Sequence, residues 1–139
     1  MVEDRSYDTI QVGDTASVTK TITEADVQAF AVLSGDDNPL HLDADYAAGT
    51  PFGERIAHGM IAASLISAVV GTRLPGLGAV YLGQQLRFVA PTRLGDTLTA
   101  TGEVLVKRDD KPILTLRTTV TREDGTVVVE GEAVVKKQG

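Results

Sequence analysis

Ile56-Ala57-His58-Gly59-Met60-Ile61-Ala62-Ala63-Ser64-Leu65-Ile66-Ser67-Ala68-Val69-Val70 is a long apolar run, interrupted by His58, Gly59, Ser64 and Ser67 and closed by Gly71-Thr72-Arg73. It is too short and too polar to span a bilayer, which takes roughly 20 consecutive apolar residues. Read as a helix that begins near His58, it places Ile61, Leu65, Ile66, Val69 and Val70 almost all round the cylinder. A helix that is hydrophobic on every side has to be wrapped by other elements. The spacing therefore predicts a buried central helix, and the rest of the chain is read as its wrapping.

Downstream the period changes from helical to two. After a turn at Leu74-Pro75-Gly76, Val80, Leu82, Leu86 and Phe88 are expected on one face of a strand, with Tyr81, Gly83, Gln85 and Arg87 on the other. A second strand runs from Asp96 to Lys107 with Leu98, Ala100, Val104 and Val106 in phase. Two more carry Leu114, Leu116 and Val120, then Val127, Val129, Ala133 and Val135. The joins are short and polar, so neighbours pair antiparallel. Upstream, β-branched residues 15 to 22 read as a first strand, and Thr23 caps a helix that Gly35 stops. Asp43 to Gly49 reads as one or two helical turns, and Thr50 to Arg55 as an irregular loop, either a plain exposed loop or, through Phe52 and Arg55, the mobile lip of a pocket. A sheet with one apolar face curled around a buried helix satisfies this order, an α+β fold in one domain over residues 1–139.

Composition narrows the function. With 42% hydrophobic and 23% charged residues in 139, the chain has enough material for a real core. A net charge of −6 without clustered Lys and Arg argues against a nucleic-acid partner. No cysteine is present, so there is no disulfide, thiolate nucleophile or thiolate metal site, which fits a reducing, cytoplasmic compartment. Met1-Val2-Glu3-Asp4-Arg5 is charged and does not resemble a signal peptide; no membrane partner is expected. Only two histidines exist, at positions that match no zinc-ligand spacing, so no metal is expected.

The chemistry gathers in Ser34-Gly35-Asp36-Asp37-Asn38-Pro39-Leu40-His41, which precedes His58-Gly59-Met60 by seventeen residues, counted from His41 to His58. Asp36 and His41 are five apart with Asn-Pro between them, so they are expected on a stiff loop rather than one regular helix. Carboxylate and imidazole exchange protons near neutral pH when both reach one reacting group or one shared water. The same residues are also ordinary turn chemistry. Gly59 has two readings: the helix N-terminus offers unpaired N–H groups to an oxygen gaining negative charge, or the glycine lets helix and sheet approach.

The octet, the His-Gly-Met and a serine nine positions after His58 resemble the MaoC-like (R)-specific enoyl-CoA hydratases of the hydratase 2 group, and the likeness runs from about Val12 to Lys136. The resemblance implies the hotdog fold and a lyase that adds water to a trans-2-enoyl thioester, giving an (R)-3-hydroxyacyl product. It implies that Asp36 and His41 are the catalytic acid/base pair and that the Gly59 N–H polarises the thioester carbonyl. Asn38 and Ser67 are implied to support the site, although an i−4 backbone bond is an equal reading of Ser67. Val69 and Val70 are candidates for the acyl pocket, where core packing predicts the same residues. His58 is expected to donate to the backbone near its own cap and to take no part in the chemistry. No cofactor is implied beyond the substrate, an enoyl-CoA or enoyl-acyl-carrier-protein thioester, and the chain is expected to form a homodimer joined sheet to sheet. Two other classes fit the fold: a thioesterase aiming the water at the carbonyl, and a binding module without turnover.

Overall fold

The computed structural model describes residues 1–139. A 3-10 turn, Tyr7–Thr9, precedes β1 (Thr15–Thr21), α1 (Glu24–Ser34), α2 (Pro39–Leu42), α3 (Ala44–Ala48), α4 (Gly59–Thr72), β2 (Ala79–Phe88), β3 (Thr97–Lys107), β4 (Ile113–Arg122) and β5 (Val127–Lys137). The strands form one antiparallel sheet in the order β1-β3-β4-β5-β2. α4 lies across it and touches all five strands. No helix is long and apolar enough to cross a membrane.

The core is the interface between that helix and one sheet face. Ile61, Ile66, Val69 and Val70 pack against alternate residues of β3, β4 and β5, including Leu98, Val104, Leu116 and Val135. Close approach is set by Gly102 in β3: a Cβ there would lie 3.2 Å from Val69 Cγ1 and 3.3 Å from Leu116 Cδ2. The one buried hydroxyl on this face of β4, Thr118, receives a 3.0 Å bond from Gln84 Nε2, which reaches over β5 from β2.

Three expectations need correction. β2 carries a bulge between Tyr81 and Gly83, so Tyr81, Gln84, Leu86 and Phe88 oppose Val135, Ala133, Gly131 and Val129 on the core face, and Val80 drops out of phase with Leu86. β3 has a similar irregularity between Val104 and Val106, which leaves Val106 half exposed. The wrapping of α4 is also incomplete, since Met60, Ser64, Ser67 and Gly71 form an exposed stripe along it.

Candidate active site

Local rules build the platform. Thr23 Oγ1 accepts from Asp26 N–H at 3.2 Å, and the Asp26 carboxylate accepts from Thr23 N–H at 2.9 Å, a closed capping box at the start of α1. Gly35 ends α1 at φ +79°, a left-handed conformation that reverses the chain at low steric cost. Asp36 follows in the turn, its N–H donating to Ser34 Oγ at 3.0 Å and its Oδ1 accepting from Asn38 N–H at 3.2 Å.

The expected loop from Asp36 to His41 is half right. Asp36 is in the turn, but His41 sits in α2, a single helical turn with Asn38 as its cap and Pro39 at its first position. Proline there has a φ already suited to a helix and gives up an N–H that has no partner anyway. Asn38 Oδ1 accepts from Leu40 N–H at 3.0 Å, which makes Asn38 the residue that turns the chain from Asp36 into His41.

His41 is then fixed from the far side. Its Nδ1 lies 2.8 Å from the Ile56 carbonyl oxygen. A carbonyl can only accept, so Nδ1 carries a proton, and in the neutral ring the lone pair is on Nε2. Arg55 Nε donates to the His41 carbonyl at 2.7 Å, and Ile56 N–H to the Leu40 carbonyl at 3.4 Å. The same guanidinium grips Glu24 at 2.7 and 2.8 Å, fastening α2 to the first turn of α1. Arg55 hydrogen bonding, helped by Gln28, holds the Glu24 carboxyl down to about 2. Arg55 is therefore a tie between elements rather than the pocket lip expected of it.

His58 departs from expectation as well. As the N-cap of α4 it makes no side-chain cap bond. Its Nε2 donates instead to the Asp36 carbonyl at 2.9 Å, and its ring stacks on His41 with centroids 3.9 Å apart. Donor atoms of Asp36, His41 and His58 all lie within 4.8 Å of one another. These three would be the ligands if a metal bound here, although each histidine already commits one ring nitrogen to a carbonyl. Asp36 and His41 share no direct hydrogen bond, and one water can touch two atoms held within that limit. A carboxylate and an imidazole are thus brought together beside His58, the N-cap of α4, and groups of these two kinds can move protons to and from a shared water.

The sequence matches the MaoC like domain over residues 8–126. The chain belongs to this family. The MaoC-like chain is 54% identical to an (R)-specific enoyl-CoA hydratase of Rhodospirillum rubrum, over 93% of its own length and 89% of that protein. It is 50% identical to the (R)-specific enoyl-CoA hydratase of Aeromonas caviae, covering 94% of this chain and 98% of that protein. The solved structure of an (R)-hydratase from A. caviae involved in PHA biosynthesis superposes with a TM-score of 0.91 at 49% identity, covering 94% and 98% of the two chains. An unliganded R-hydratase from Pseudomonas aeruginosa superposes with a TM-score of 0.93, also at 49% identity, over 98% of this chain and 87% of that one. The hotdog fold and the family resemblance are thereby shown.

An apolar cavity of about 490 Å³ opens beside the tip of α4 of the MaoC-like domain, with Phe52, Ile56, Ala57, Gly59, Phe88 and Val129 among its walls. It reaches Gly59 but is not lined by Asp36 or His41, and Asp36 is exposed. A Cβ on Gly59 would fall 2.8 Å from Phe88 Cδ1, so the glycine makes room for that ring. Val69 and Val70 are not in the cavity wall; at 1% and 2% exposure they belong to the core, which is the other reading of those residues. Met60 and Ala62, one and three residues into α4, line the cavity in their stead. Ser67 lies on the exposed stripe of α4, and its hydroxyl, unlike those of Ser64 and Thr72, bonds neither to the site nor to a carbonyl of the preceding turn. Phe88 and the Arg55 tie were not singled out from sequence. The Glu24 contact gave no local signal, being 31 residues distant from Arg55.

Proposed function

We propose that the protein catalyses the reversible hydration of trans-2-enoyl-CoA to (R)-3-hydroxyacyl-CoA, with Asp36 and His41 as its acid/base pair. A water between the Asp36 carboxylate and His41 Nε2 attacks C3 while one member of the pair takes its proton. The C2=C3 π bond opens toward the carbonyl, and a proton delivered from the pair to C2 completes the addition. The roles of giver and taker belong to the pair together. The N–H of Gly59, the first in α4, faces the thioester oxygen as it gains charge, a contribution of about 3–4 kcal/mol for one such donor. No cofactor enters this balance beyond the thioester substrate. Asn38 supports the pair by shaping the turn.

The observation that carries the reading is the Asp36–His41 gap: two proton carriers within 4.8 Å, unbonded to each other, in a chain about half identical to named hydratases. The test is loss of enoyl absorbance from crotonyl-CoA with chiral analysis of the product. Disappearance of the double bond and an R product support the proposal. Release of free thiol with the double bond intact, or an S product, overturns it. An acyl-carrier-protein thioester run in parallel ranks the carriers.

The proposed assembly is a homodimer. Support comes from the free edge of β2, where Val80, Tyr81, Leu82 and Phe88 are exposed, and from an acid/base pair that a single chain leaves open to solvent. The cysteine-free composition supports a cytoplasmic location.

A further inference from the structure

His58 is 2% exposed and its ring is used on several sides. One edge donates to the Asp36 carbonyl, one face stacks on His41 with the planes 30° apart, and Phe30 of α1 closes on it with centroids 4.8 Å apart. Its other nitrogen, Nδ1, is buried without a partner. A histidine that only filled the core would not need to touch both members of the proton-transfer pair, which lie 22 and 17 residues before it in sequence.

The turn it holds has little else to hold it. Every other hydrogen bond of Asp36 is local, to Ser34 and Asn38, and the residue is exposed. The bond from His58 is the one tie between Asp36 and an element distant in sequence. We propose that His58 is a positioning residue: its Nε2–H bond to the Asp36 carbonyl aims the Asp36 carboxylate at the water shared with His41. The inference rests on the hydratase reading for the roles of that pair. In turn it joins the pair to the oxyanion donor, because His58 immediately precedes Gly59.

Three variants test it on crotonyl-CoA. His58→Phe keeps a ring between Phe30 and His41 but has no donor, His58→Gln keeps an N–H without the ring, and His58→Ala has neither. His58→Phe is expected to lose about 100-fold in kcat, the scale of a misplacement near 1 Å. KM should stay within about threefold of wild type, since the loss falls on the transition state rather than on ground-state binding. Calorimetry with butyryl-CoA, the saturated analogue, should still give the wild-type stoichiometry, which separates misaim from misfolding. His58→Gln should recover at least about tenfold over His58→Phe, as restoring one donor does. If His58→Phe does not fold, His58→Ala takes its place in the comparison with His58→Gln. Wild-type kcat in the donorless variant, or no recovery with glutamine, overturns the inference. A wild-type chain without hydratase turnover would instead sink the underlying reading, and the inference with it.

Discussion

At the scale of single residues, what matters is which atom each polar group has already committed. His41 has given Nδ1 to a carbonyl and kept Nε2, while Asp36 has engaged one carboxylate oxygen with a main-chain N–H. Removing either free end should be severe: Asp36→Asn and His41→Ala are each expected to lower kcat by about 10²–10⁴-fold, the range for a positioned acid or base. Circular dichroism should stay native, because neither side chain belongs to the core cluster. Gly59 needs a subtler test, since Phe88 rather than substrate fills the space above it. Gly59→Ala will displace that ring. If space for Phe88 were its whole purpose, adding Phe88→Ala would restore turnover. The expected result is that the double variant remains impaired by at least about tenfold, because alanine keeps the N–H but its methyl group crowds the oxygen that must approach it. Sequence reading reached Asp36, Asn38 and His41 because the order Asp-x-Asn-Pro-Leu-His is contiguous. It missed the work of His58, whose hydrogen bond spans 22 residues and leaves no trace in local spacing.

At the scale of elements, α1 is a lever on the site through Glu24 and Arg55. Thr23→Ala removes half of the capping box and should cost about 1 kcal/mol of stability, measured by denaturant unfolding. Glu24→Gln tests the clamp through pH. The folded-state value of Glu24 is about 2, below its ordinary 4.5, so the ionised clamp favours the native state fully above pH 4.5 and its contribution fades as pH falls toward 2. The stability difference between wild type and Glu24→Gln should therefore be constant above pH 4.5 and shrink below it. A difference that grew on acidification would contradict the ion-pair account. Elements defined by their own caps and periods were legible in sequence: α1 from Thr23 to Gly35, α3 between Asp43 and Gly49, and α4 after His58. The irregularities of β2 and β3 were not. A bulge is settled by the partner strand, so the alternation Val80, Leu82, Leu86, with Gln84 in the missing place, does not say where the register shifts within it.

For the whole molecule, the same sheet that packs on α4 ends in β2, whose outer edge is unpaired and whose exposed residues are partly apolar. Light scattering should report a dimer, and Leu82→Lys, which places a charge on that edge, should shift it toward monomer with loss of activity. A wild-type monomer with full turnover would refute this assembly. The central packing is less forgiving. Gly102→Ala would press a methyl group against Val69 and Leu116, and a loss of about 1–3 kcal/mol is expected from overcrowding. Sequence announced the buried helix and its antiparallel wrapping through periodicity alone, yet left Val69 and Val70 open between pocket and core, and their depth in the core decides their place.

The three hydrogen bonds between positions 40–41 and 55–56 pin the entry and exit of the intervening stretch. Residues 43–54, which carry Phe52 to the cavity wall, therefore form a cassette whose two ends are held together, and replacing it is expected to leave that junction intact. Exchanging that cassette can retune which acyl tails are admitted while the proton machinery, anchored outside it, keeps its alignment.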